Sequence, residues 1–131
     1  MSSVSADWQP YGTPLSYIYT GEAIYFHCAK IGHKINNMTQ NEKVCFNVVG
    51  KTQPVFDKDF TTYYESVTVF GIARKIEDEQ EKVQVLTDLC QKYLPEHMDQ
   101  IEKSLSRSLF ATAIYKIEIQ RMTAKQKQPQ P

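Results

Sequence analysis

The chain has 131 residues, 41% of them hydrophobic and 23% charged, enough for one packed domain and too apolar for wholesale disorder. Fifteen basic side chains balance fifteen acidic ones, which argues against a general nucleic-acid or anionic-membrane binder. No apolar run approaches the roughly 20 residues of a membrane-spanning helix, and Met1 to Pro10 lacks the basic and apolar regions of a signal peptide. Cys28, Cys45 and Cys90 are odd in number and widely spaced, as expected of reduced thiols in a cytoplasmic protein.

In chain order, Tyr11 to Tyr19 reads as a first strand, with Pro14 marking an edge or bulge. Thr20-Gly21-Glu22 is a tight turn, and Ala23 to Cys28 completes a hairpin. Ile31, Ile35 and Met38 then share one helical face, and Asn41 closes that helix. Val44 to Val49 is a buried strand, Gly50 to Asp59 a loop, and Tyr63 to Ile76 a long strand in which Gly71 predicts a bulge or a close backbone approach. Asp78 with Glu81 predicts a helix start, followed by the stripe Val83, Leu86, Leu89, Cys90 and Tyr93, with Pro95 ending the helix. Met98 to Arg107 is a weaker helix, and Phe110 to Met122 the last strand. These elements predict a β-rich α+β domain over residues 1–123, a small barrel with flanking helices, and a disordered tail over 124–131.

Three stretches could carry chemistry. At His27-Cys28-Ala29-Lys30-Ile31-Gly32-His33-Lys34, a helix start gathers Lys30, His33 and Lys34 where acidic residues normally stand. A bound phosphate would resolve that conflict by accepting free backbone N–H groups and pairing with the lysines, although a solvated basic turn has the same composition. His27 and Cys28 are adjacent on a strand and point to opposite faces. With no CxxC or HExxH spacing, no metal site is expected. In Gly12-Thr13-Pro14-Leu15-Ser16, Pro14 removes a ladder donor and Thr13 and Ser16 add hydroxyls; an ordinary edge strand reads the same way. Ser66, in Tyr64-Glu65-Ser66-Val67, begins the long strand and could reach a ligand from a partner subunit. No nucleophile elbow, P-loop or dinucleotide fingerprint occurs.

Taken together, Pro10 to Tyr17, Ile24 to Ile35, Asn41 to Val49, Tyr64 to Ala73, and Ile117-Glu118-Ile119 followed by Met122-Thr123-Ala124-Lys125 resemble the pyridoxamine 5′-phosphate oxidase-like family, in its nitroimidazole-resistance branch. The resemblance covers nearly the whole chain in order. It implies an FMN-binding split β-barrel and a homodimer with FMN at the subunit interface. By position, Thr13, Pro14, Leu15 and Ser16 would lie along the flavin ring and ribityl chain. His27, Cys28 and Ala29 would lie near them, Lys30, His33 and Lys34 near the phosphate, and Ser66 would approach from the second strand system. The implied activity is an FMN-dependent oxidoreductase that passes electrons from a reduced nicotinamide to a nitroaromatic or quinone-like acceptor, with His27 orienting substrate or passing a proton. A non-catalytic flavin or haem binder on the same barrel is the alternative. The arginine-rich ending of strict pyridoxine oxidases is not evident, so vitamin B6 oxidation is not assigned.

Overall fold

The computed structural model describes residues 1–56 and 60–129. In chain order it contains β1 (Ser2–Val4), β2 (Pro10–Gly12), β3 (Ile18–Tyr19), β4 (Ala23–Ala29), α1 (His33–Gln40), β5 (Lys43–Val55), β6 (Thr61–Lys75), α2 (Glu79–Tyr93), a 3-10 turn at Pro95–Gln100, α3 (Ile101–Ala111) and β7 (Thr112–Lys127). The strands make one antiparallel sheet in the order β2-β1-β5-β6-β7-β4-β3. β2 and β3 are thus the two edges, yet only residues 13–17 separate them in sequence. The sheet therefore curls until its edges approach, and a short connection spans the gap without ladder pairing. This is the expected split β-barrel with flanking helices, and its sheet is not closed.

Side-chain alternation assigns the two faces of the sheet. From β4, Ile24, Phe26 and Cys28 point into the barrel, where they meet Val44, Phe46, Val69, Tyr115 and Ile117. Phe26 is fully buried and stacks on Tyr115, its direct cross-strand partner, at 5.7 Å. Burial of a side chain of that size contributes about 1.5–3 kcal/mol. Met38 of α1 joins the same core, with Ile35 packed against it, so this helix packs on the barrel interior. On the outer face, Ile18, Ile76 and Ile114 pack under Val85, Leu86 and Leu89 of α2, with Leu105 and Leu109 of α3 alongside. Asp78 caps α2, its Oδ2 accepting from the Glu81 amide at 2.8 Å.

Gly71 behaves as its position in a long strand predicts. The β6–β7 register shifts between Phe70 and Gly71. A Cβ on Gly71 would collide with the Glu118 carbonyl and lie 2.7 Å from Ile117 Cγ2.

The sequence expectations need several corrections. Tyr11 to Tyr19 is not one strand: Pro14, which has no N–H to give a ladder, sits in the crossing between the edges. A hairpin of β1 and β2 precedes it, unforeseen because its strands have only three residues each. Ile31 lies outside α1 and is exposed. β5 runs on to Val55 through residues expected to be loop, with Pro54 paired to Thr62; Asp57 to Asp59 of that expected loop lie outside the described residues. Val85 belongs to the buried stripe of α2, whereas Tyr93 is exposed. Phe110 and Ala111 end α3 rather than start β7. Where the sequence predicts a disordered tail, β7 continues to Lys127, with Ala124–Lys127 paired to Tyr64–Val67 of β6. Gln130 and Pro131 lie outside the described residues.

Candidate functional site

The crossing between the sheet edges is held at both ends. The Met1 amino group donates to the Thr13 carbonyl at 2.8 Å, and the Thr13 amide returns a bond of the same length to Met1. Leu15 and Tyr17 pack toward the barrel core, leaving Pro14 and Ser16 exposed. Tyr17 meets Phe46 edge-on at 5.0 Å. Its backbone is gripped by α2: the Tyr93 hydroxyl accepts from the Tyr17 amide and donates to its carbonyl, both at 3.0 Å, and Lys92 Nζ donates to the same carbonyl at 2.7 Å. Thr13 Oγ1 is buried without a hydrogen-bond partner among the described residues. A hydroxyl in that position is costly unless something else bonds to it.

β4 ends with His27 and Ala29 on the outer face and Cys28 inside. Cys28 lies in the barrel core, and burial pushes its thiol pKa up although Lys34 pulls the other way. His27 keeps a solvent-facing side, yet crowding by the surrounding chain holds its imidazole below the ordinary histidine pKa. The ring is therefore neutral at neutral pH.

The turn into α1 passes through Gly32 at φ 142°, a conformation that favours glycine. No side chain caps the helix, and its first turn holds no acidic residue. The Asn36 amide bonds back to the Gly32 carbonyl at 3.1 Å, so the amides of His33, Lys34 and Ile35 are the open donors of a helix start. Lys30 is exposed and Lys34 half-buried, and neither forms an ion pair among the described residues. His33 is occupied on one side: Ser5 Oγ lies 2.8 Å from its Nε2, and the Tyr11 ring lies 4.5 Å from its own. The β1–β2 hairpin is thereby tied to the start of α1.

The structure brings Lys30, Gly32, His33 and Lys34 together at this helix start, with His27 and Ala29 on the strand that leads into it. Cys28 faces away from His27. Ser66 stands apart. It pairs with Lys125 on β7, whereas His27 pairs with Ile114, so up to about 36 Å of extended strand separates them within one chain. Ser66 instead lines a groove of about 480 Å³ with Gly50, Glu65 and Lys125. Sequence reasoning missed Ser5 and the roles of Tyr11, Lys92 and Tyr93. The last two meet Tyr17 across about 75 residues, a distance over which local pattern carries no signal. No group of three or more His, Cys, Asp or Glu is placed to hold a metal ion among the described residues. No described helix is long and apolar enough to cross a membrane.

An open antiparallel barrel whose two edges are bridged by a short crossing defines a split β-barrel rather than a nucleotide-binding α/β domain. The chain belongs to the pyridoxamine 5′-phosphate oxidase family, whose model matches residues 3–126. A comparison with curated proteins finds no match. Among solved structures, an FAD-binding protein from Mesorhizobium loti is 25% identical with a TM-score of 0.65, over 97% of this chain and 84% of that one. A candidate 5-nitroimidazole antibiotic resistance protein from Bacteroides thetaiotaomicron is 20% identical with a TM-score of 0.77, over 94% and 72%. An FAD and haem binding protein from Mycobacterium smegmatis is 18% identical with a TM-score of 0.83, over 99% of this chain and 65% of that one. The last two likenesses bear on the fold alone.

Proposed function

We propose that this protein binds FMN and serves as a flavin-dependent oxidoreductase, taking a hydride from a reduced nicotinamide and delivering two electrons to a nitroaromatic or quinone-like acceptor. The observation that carries the reading is the start of α1, where open backbone amides, Gly32, Lys30 and Lys34 meet with no carboxylate in the first turn. A phosphate monoester would satisfy those amides and pair with both lysines. The unpartnered Thr13 Oγ1 fits the same reading, since a polar ligand along the crossing would give it a partner. FMN, when bound, supplies the redox chemistry, and the protein supplies position and electrostatics. Thr13 and Ser16 would offer hydroxyls along the ligand, with Pro14 and Leu15 against its apolar parts. The neutral His27 ring can accept a proton or orient an acceptor.

The reading includes a homodimer with the ligand between subunits, to which the second copy would bring Ser66. Two features support it. Ser66 lies far from His27 within one chain, and its face of the sheet also carries exposed Val49 and Phe70. A soluble intracellular setting is part of the same proposal, resting on the three free cysteines.

The test is the visible spectrum of the purified protein, followed by FMN titration of the natural chain and of Lys34→Ala. We expect FMN uptake by the natural chain and at least tenfold weaker binding by the variant, about 1.4 kcal/mol, with little change in Tm. Equal affinity in the two proteins would remove the phosphate assignment. Nicotinamide oxidation by the FMN-loaded protein with an added acceptor separates catalysis from a carrier of flavin or haem.

A further inference from the structure

A second concavity lies in the helical layer, lined by none of the residues of the crossing or of α1. A cavity of about 390 Å³ opens between the carboxyl end of α2, the 3-10 turn and α3. That volume falls in the range of about 300–1,000 Å³ usual for small-ligand sites. Lys103, Ser104, Arg107 and Ser108 line it, and their spacing places them on one face of α3. His97 adds an imidazole from the 3-10 turn, while Cys90, Leu94 and Ile101 make the apolar part of the wall.

The charges are sorted. Glu96, Asp99 and Glu102 belong to the same segment, yet no carboxylate lines the cavity among the described residues. Lys103 and Arg107 form no ion pair among the described residues. The face of α3 that packs on the domain is a different one, carried by Leu105 and Leu109. Lys103, Ser104 and Arg107 are exposed along this hollow, with Cys90, Ile101 and Ser108 half-buried beside them.

We propose that this cavity binds a small organic phosphate. Arg107 offers a planar fork of donors and Lys103 a point charge, the pair best suited to a phosphate. The Ser104 and Ser108 hydroxyls complete the donor set, and the organic part of the ligand lies against Leu94 and Ile101. None of the residues assigned to FMN lines this cavity, so the site stands whether or not the flavin reading holds.

The probe is phenyl phosphate, titrated by calorimetry into the full chain with and without FMN. Saturable binding is expected in both states, with inorganic phosphate binding more weakly because it leaves the apolar wall unused. The double variant Lys103→Gln/Arg107→Gln should bind phenyl phosphate at least tenfold more weakly while taking up FMN as the natural chain does. Lys34→Ala should do the reverse. Two results would overturn the proposal: no saturable binding by the FMN-loaded chain, or equal binding by the double variant. Failure of FMN uptake alone would sink the flavin reading and leave this one intact.

Discussion

With FMN along the crossing, as proposed, Thr13 Oγ1 would gain the partner it lacks among the described residues. A buried hydroxyl without a partner costs about 1–3 kcal/mol, and valine has nearly its shape without the hydroxyl. Thr13→Val should therefore hold or raise Tm in the absence of ligand while weakening FMN binding. A variant that loses Tm and keeps its affinity would mean that the hydroxyl serves the fold. His27 makes a prediction about pH. Its folded pKa lies below its unfolded value, so between those values the unfolded chain binds more protons and stability falls as pH is lowered. The loss begins near the unfolded pKa of about 6.5 and continues on acidification to the folded pKa. Urea melts of the natural chain and His27→Gln across pH 5–7.5 should show a shallower decline in the variant. At this scale the sequence is informative where chemistry is local. The opposed faces of His27 and Cys28 and the basic helix start follow from neighbouring residues. The grip of Lys92 and Tyr93 on Tyr17 does not, because packing alone brings them together.

Among the elements, α2 rests on its cap and its buried stripe. Asp78 satisfies one of the open amides at the helix start, and Glu79 and Glu81 sit in the favourable first turn. Asp78→Ala should cost about 1 kcal/mol, or roughly 3–5 °C in Tm, measured by thermal melting. Because α2 also grips the Tyr17 end of the crossing, FMN affinity should fall only if that end loosens. The elements that were legible each carry a local mark: the turn at Gly21, the cap at Asp78, the bulge at Gly71. Those that were not are decided elsewhere. The short β1 has no periodicity of its own and exists because β2 and β5 pair with it. The extension of β5 through Pro54 survives because β6 pairs one side of it and no strand needs an amide from the other. Ala124–Lys127 reads as polar tail, yet β6 gives it a ladder to join.

For the whole molecule, the sheet order decides what a single chain can assemble. The helix start with its lysines and the Ser66 face lie at different ends of the sheet, so the proposed ligand site is complete only in a pair. Val49 is opposite Ser66 and largely exposed. Val49→Glu would bury a charge in such an interface, so light scattering should report a monomer with weakened FMN binding. Retention of a dimer would place the contact on another face. The same sheet order governs how the chain reaches this state. Among the described residues β4 pairs only with β3 and β7, and Ala23 must find Glu118 across most of the chain. During synthesis, Ile24 and Phe26 therefore wait for their β7 partners, Ile117 and Tyr115, until the last strand has left the ribosome. Loop-closure entropy of that size makes folding slow and leaves an apolar strand open to other chains meanwhile. The seam between β4 and β7 thus closes the longest loop of the sheet, and its aromatic pair, Phe26 on Tyr115, fastens it.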